Sequence, residues 1–261
     1  MKSLSPIPRQ LDFLLIIPYQ EVSNFAAKII DSYLQSKGHS VAMLYFKERD
    51  QEHCEPSQTE CQLLERFVSE ASPKLVGFTV MSPFVQVSKL LTEKIRQVTD
   101  APIVWGGTHC TVDPESVTNI ADIVCVGEGE EPLHQLITKM KLTSALPTEI
   151  PNLLIKKNEV LHRNPRTYMC EDLDSLPYPD LTGQNKYWIN NNALLEEDPY
   201  ITYILKRNKY DIKAYRGCPW SCTFCGNKSV GLASADSFAK FQRRRSVHNV
   251  VEEIERARRY F

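Results

Sequence analysis

No excess of one charge marks this chain: 31 Lys and Arg against 32 Asp and Glu leave a net charge of −1 at pH 7. So even a balance gives no electrostatic footprint for nucleic acid or for an anionic membrane. No apolar run is long enough to span a bilayer, and the N-terminus lacks a signal-peptide pattern. The run Arg243-Arg244-Arg245 has no interleaved aromatics, so it is expected to be solvated rather than to grip nucleic acid. The eight cysteines are unevenly placed. Cys54, Cys61, Cys110, Cys125 and Cys170 show no ligand spacing and are expected to be ordinary small, buried or half-buried residues. These absences lead to the expectation of a cytoplasmic protein. Its 261 residues, 42% hydrophobic, suit one large domain or two smaller ones.

What is present is an alternation. Residues 11–17 form a nearly unbroken apolar run ending at Pro18, as expected for a strand buried on both faces of a parallel sheet. Val22, Phe25, Ala26, Ile29, Ile30, Tyr33 and Leu34 then repeat at helical spacing, and Lys37-Gly38 supplies a stop. Further strands are expected at 41–46, 75–80, 102–105 and 123–126, separated by helices around Leu64, Leu91 and a short one begun by Asp113-Pro114. A last helix carries Leu133, Leu136, Ile137 and Met140. The pattern predicts an α/β domain over 1–142 with a doubly wound parallel sheet, Rossmann-like and of flavodoxin-like order. Residues 143–208 are expected to be a hairpin turning at Asn158 followed by a proline-fixed linker, with the stretch around Trp188 unassigned. The third region, 209–261, is expected to hold a strand over 211–215 and a helix capped by Ser246, its inner face including Val250, Val251 and Ile254.

Parallel strands end at one edge of a sheet, so the segments after them gather on one rim, where such folds bind ligands. Those segments read Pro18-Tyr19, Met81-Ser82-Pro83, Gly106-Gly107-Thr108-His109 and Gly127-Glu128-Gly129-Glu130. Glycine permits close backbone approach, and Ser82 and Thr108 offer hydroxyls, which suits a bulky ligand. A single such loop is as well explained by a tight turn; several on one rim favour a ligand. His109 is either a ligand contact or a histidine satisfied by hydrogen bonds at its turn, and His39 is expected to be structural.

The densest chemistry lies in Arg216-Gly217-Cys218-Pro219-Trp220-Ser221-Cys222-Thr223-Phe224-Cys225. Three soft thiolates on one short loop can hold three corners of an iron–sulfur cube and leave the fourth iron without a protein ligand. An iron left open can bind and activate a substrate, as a catalytic zinc does at its unfilled position. The alternative is a zinc knot, but zinc ligands usually come as spaced pairs and no second pair follows. The C-x3-C-x2-C spacing, with its Arg-Gly lead-in and Phe224 before the last cysteine, resembles the cluster loop of radical S-adenosylmethionine (SAM) enzymes. The resemblance implies a [4Fe-4S] cluster on Cys218, Cys222 and Cys225, SAM chelated at the open iron and Phe224 beside its adenine. It also implies a reductant such as flavodoxin or ferredoxin.

Taken with this loop, the first half resembles the cobalamin-binding domain found in front of radical SAM cores. The contacts so implied are Tyr19, Ser82, Gly106, Gly107, Thr108, His109, Gly127, Glu128 and Gly129. Many cobalamin domains carry Asp-x-His-x-x-Gly after the first strand; Tyr19-Gln20-Glu21-Val22 stands there instead, so no lower cobalt ligand is named. The implied function is radical chemistry on an unreactive carbon of a small-molecule substrate, first as methyl transfer in which SAM both remethylates cobalt and provides the radical. Rearrangement or ring formation comes second, and a non-catalytic cobalamin module stands outside the enzyme class. A methylthiotransferase shares the cysteine loop but normally has cluster cysteines in its N-terminal domain, and the first strand and its loop have none. After Cys225 there is room for little beyond the first helix of a barrel, so the rest is expected beyond Phe261 or in a partner.

Overall fold

The computed structural model describes residues 7–19, 24–47, 55–220, 222–234 and 241–260, with backbone alone for 232–234. Gln20, Glu21, Val22, Cys54 and Ser221 lie outside the described residues. In the first half β1 (Phe13–Ile17), α1 (Phe25–Ser36), β2 (Val41–Phe46), α2 (Gln58–Ala71), β3 (Val76–Thr79) and α3 (Val85–Ile95) alternate. They are followed by β4 (Ile103–Gly106), α4 (Thr108–Val112), β5 (Ile123–Cys125) and α5 (Glu130–Thr143). The five strands are parallel and run β2-β1-β3-β4-β5, the flavodoxin-like order.

Hydrophobic pattern explains the double winding. Leu14 and Ile16 of β1 enter one core, whereas Phe13, Leu15 and Ile17 enter another, so the strand has no water-facing side. Leu64, Phe67 and Leu91 of α2 and α3 close the first core; Leu34, Leu133 and Leu136 of α1 and α5 close the second. Helix ends are chemically fixed. Gly38, at φ +78, lets the His39 and Gly38 N–H groups donate to Leu34 O and Gln35 O at the end of α1, the crossed pair of a Schellman stop. Ser57 and Glu60 form a reciprocal capping box on α2.

Both edges of the sheet are extended by the second half. β6 (Leu153–Lys157) and β7 (Val160–Arg163) add an antiparallel hairpin beside β5, turning through Asn158 and Glu159, both at positive φ. The stretch without a sequence assignment becomes β8 (Lys186–Asn190), parallel to β2, and β9 (Ala193–Leu195), joined through Asn191-Asn192. Helix α6 (Pro199–Arg207), capped by Asp198, follows it. Next come β10 (Tyr215–Arg216), α7 (Gly226–Ser234), β11 (Arg243–Arg244) and α8 (Val247–Ala257), the last capped by Ser246 as expected but burying Glu253 and Ala257, with Val251 and Ile254 exposed instead of facing inward.

Two local expectations are corrected. The short helix starts at Thr108, not at Asp113-Pro114, because Gly107 turns the chain directly into α4; Pro114 instead begins a single 3-10 turn over Glu115–Val117. The strand expected over 211–215 is reduced to Tyr215–Arg216, which pairs antiparallel with β11. Cys61, Cys110, Cys125 and Cys170 are buried, as their lack of ligand spacing suggests. Among the described residues, no helix is long and apolar enough to cross a membrane.

Candidate cofactor site

The rim is built around one glycine. Gly107 sits at φ +106 and ψ −172, and a Cβ there would lie 2.7 Å from Val80 O and 2.9 Å from Val80 N. Only glycine fits such a turn. Val80 N–H donates to Gly106 O at 2.7 Å, and His109 N–H donates to Val80 O at 3.2 Å. Gly106 is less constrained, since its Cβ would make an ordinary 3.5 Å contact with Cys125 Cβ. Thr111 stitches two glycine loops together: its Oγ1 donates to Gly107 O at 2.8 Å and accepts from Gly127 N–H at 3.0 Å. The sequence reading missed Thr111, although a hydroxyl one helical turn beyond Gly107 is the signal for it.

His109 is hydrogen-bonded at its turn. Its Nδ1 lies 3.0 Å from Ser82 Oγ and its Nε2 3.2 Å from Ser116 Oγ, so hydroxyls engage both ring nitrogens. Tyr19 is buried and stacked on Phe84 at 3.9 Å.

A cavity of about 540 Å³ opens at the rim on the α1/α5 face of the sheet. Phe13, Leu15, Gly77 and Val104 form its floor, and Phe25 and Ile29 of α1 one side. Gly106, Gly107, Thr108, Gly127, Glu128 and Gly129 line its mouth, whereas Tyr19, Ser82 and His109 do not reach it. A Cβ on Gly77 would lie 2.3 Å from Phe13 Cζ, so this glycine is what lets the Phe13 ring lie against β3. The opposite wall is made by Tyr215, Arg216, Gly217 and Phe241, the residues that lead into and return from the cysteine loop.

Cys218 and Cys225 are half-buried and Cys222 is exposed. Among the described residues, no three His, Cys, Asp or Glu side chains are spaced to hold a single metal ion. A cube imposes a different requirement, because each thiolate binds its own iron and the three need not meet at a point. Phe224, expected beside a SAM adenine, is 91% exposed. The base of the loop is firmly placed. Gly217 sits at φ +88, and a Cβ there would fall 2.5 Å from Phe241 O; α7, just past Cys225, lies against α4 of the rim.

Charge joins the loop to the rim. Arg216 Nη1 lies 3.0 Å from Glu128 Oε1 and its Nη2 2.5 Å from Glu130 Oε1. Arg243 adds a two-pronged pair to Glu128, Nη2 to Oε1 at 2.7 Å and Nη1 to Oε2 at 3.1 Å. Burial alone would raise the Glu128 carboxyl, but Arg243 and Arg216 hold it below its ordinary value. Burial likewise opposes the charge on Arg216, and Glu130 and Glu128 override it, raising that pKa. Two arginines of the run are therefore not solvated as expected: the Arg243 side chain is 8% exposed on Glu128, and Arg245 pairs with buried Glu253, whereas Arg244 is exposed. Their partners lie too far away in sequence for a local reading to find.

Residues 12–137 match the B12 binding domain family. Over 202 residues the chain is 27% identical to the anaerobic magnesium-protoporphyrin IX monomethyl ester cyclase of Rubrivivax gelatinosus, a match covering 76% of this chain and 33% of that protein. Its fold is that of TsrM, a radical S-adenosylmethionine methyltransferase from Kitasatospora setae, with TM-score 0.68 and 21% identity over 94% of this chain and 45% of that one. OxsB, a cobalamin-dependent S-adenosylmethionine radical enzyme, matches with TM-score 0.67 and 17% identity over 96% of this chain and 32% of its own. Residues 12–137 therefore carry a B12 binding domain, on a fold shared with these solved S-adenosylmethionine radical enzymes. The chain spans about a third of the length of the curated relative and less than half of either solved structure.

Proposed function

We propose that the rim cavity and the cysteine loop form one two-cofactor site, part of a cobalamin-dependent radical SAM enzyme that transfers a methyl group to an unreactive carbon. The shared wall carries this reading: the strands at the base of the cysteine loop close the same cavity that the glycine rim opens. The residues fit the cofactors. Gly106, Gly107, Gly127 and Gly129 offer bare backbone to a large planar ligand, Thr108 offers a hydroxyl, and the apolar floor suits a bulky appendage. Cys218, Cys222 and Cys225 would hold three irons of a [4Fe-4S] cluster, leaving one iron for SAM, with Phe224 as the residue that would meet the adenine. Tyr19, Ser82 and His109 shape the rim turns instead of touching cobalamin.

Bound there, the two cofactors supply a methyl carrier and the one-electron cleavage of SAM. The chain's own work is to present both to one space and to keep water from the floor. An open iron on an exposed loop suits a reducing cytoplasm and a flavodoxin or ferredoxin as electron donor. Ring closure is the second reading, favoured by the higher identity to the cyclase than to the methyltransferase. Methyl-labelled SAM, supplied with reductant to the anaerobically reconstituted protein, separates the two. Methyl transfer predicts label recovered with the corrin; ring closure predicts 5′-deoxyadenosine without it. Neither product with both cofactors bound, in a protein that also supplies the rest of the barrel, would contradict the enzyme assignment.

A further inference from the structure

The carboxylate of Glu128 collects donors from three distant segments. Cys170 N–H reaches Oε2 at 2.8 Å, Arg216 reaches Oε1 at 3.0 Å, and Arg243 grips both oxygens. Arg243 also donates to Cys170 O at 2.6 Å, closing the ring of contacts. Arg216 and Arg243 are register partners across β10 and β11. Like charges directly opposite one another destabilise a ladder, and a ladder of two residues per strand cannot stand alone. Two glutamates from the β5–α5 turn cancel the two arginine charges.

We propose that Glu128 and Glu130 are positioning residues, a charged latch that closes the β10–β11 ladder and fixes the cysteine loop over the mouth of the rim cavity. The latch deepens the two-cofactor reading and rests on it for its purpose. It also reassigns Glu128: with three hydrogen bonds and an ion pair to protein donors, its carboxylate serves the loop and not the corrin. The ladder ends at Arg216, two residues before Cys218, so an opening of the latch is transmitted through Gly217 to the first thiol.

The test is hydrogen exchange of the backbone amides of 213–217 and 241–245 in chains carrying Arg243→Gln, Glu128→Gln or both. The latch predicts at least tenfold faster exchange in both segments for each single variant, with β1 to β5 unchanged. The double variant should exchange no faster than either single one, because the partners act as a unit. In the reconstituted chain, relaxation of the cob(II)alamin electron-spin signal by the reduced cluster should be seen in wild type and lost in Arg243→Gln with both cofactors still bound. Unchanged exchange in the single variants, additive effects in the double one, or intact spin relaxation in Arg243→Gln would overturn the latch. If Arg243→Gln also loses protection in β1 to β5, Arg243→Lys, which keeps the charge and loses the fork, is judged by the same criteria. A wild-type chain that binds neither hydroxocobalamin nor iron sinks the two-cofactor reading, while exchange still decides the latch.

Discussion

Gly106 and Gly107 are adjacent and look interchangeable in sequence, yet alanine should affect them very differently. At Gly107 the backbone lies in a region essentially closed to other residues, at a cost of about 1–3 kcal/mol. The new Cβ would also fall 2.7 Å from Val80 O and 2.9 Å from Val80 N. To relieve that contact the turn must give up one or both of the bonds from Val80 N–H to Gly106 O and from His109 N–H to Val80 O, each worth about 1 kcal/mol. The total for Gly107→Ala is about 3–4 kcal/mol, a fall of about 10 °C in melting temperature for a chain of this size. Gly106→Ala adds a contact at 3.5 Å and should cost less than about 1 kcal/mol. Circular-dichroism melts and urea unfolding of both variants beside wild type measure the difference. A Gly107→Ala chain that melts with Gly106→Ala would refute the role given to the turn. Gly106, for the same reason, is the better probe of the ligand: Gly106→Val should keep the fold and weaken hydroxocobalamin at least tenfold.

Gly77→Ala drives a Cβ into the Phe13 ring, which can yield only toward the cavity floor, so cobalamin affinity should fall while the melting temperature drops by a few degrees. Cobalamin affinity equal to wild type would mean that the floor is not part of the ligand site. Replacing Cys218, Cys222 and Cys225 together by Ala should abolish iron binding and leave the circular dichroism of the sheet intact; a wild-type cluster spectrum in that variant would remove the cluster assignment. Burial alone would raise the Asp12 carboxyl, but Lys141, the Ser40 N–H and Lys74 bring it down to about 2. Because that folded-state value is depressed, its stabilisation is full above about pH 4 and is lost as pH falls toward about 2. Allowing for screening of the half-exposed lysines, it is worth about 1–2 kcal/mol. Asp12→Asn should therefore cost that much in urea melts at about pH 6 and almost nothing at about pH 2; an equal cost at both would refute it.

The first half was legible because its signals are local. An unbroken apolar run such as β1 and a helix stop such as Lys37-Gly38 carry their structures within a few residues, and the parallel order then places the four rim loops at one edge. The edge strand β8 was not legible. Lys186 reads as a surface residue, but it is fully buried and held by Asp31 at 2.8 Å and Asp180 at 3.5 Å. The Asn191-Asn192 pair, both at positive φ, was the turn signal that marked the β8–β9 hairpin. The glycines of the rim and the spacing of the cysteines were visible in the chain. The charges that join them were not, because Glu128 and Arg243 stand 115 residues apart and only the folded sheet edge brings them together.

The central claim is that one chain holds cobalamin on the rim and an iron–sulfur cluster on the facing loop. Its most direct test is the ultraviolet–visible spectrum of the anaerobically reconstituted chain, with cobalt and iron determined in the same sample. The account predicts about one cobalamin and about four irons per chain, with the iron lost and the cobalamin kept when the three loop cysteines are replaced. Iron bound without any cobalamin, or cobalamin bound with zinc or no metal at the cysteine loop, would contradict it.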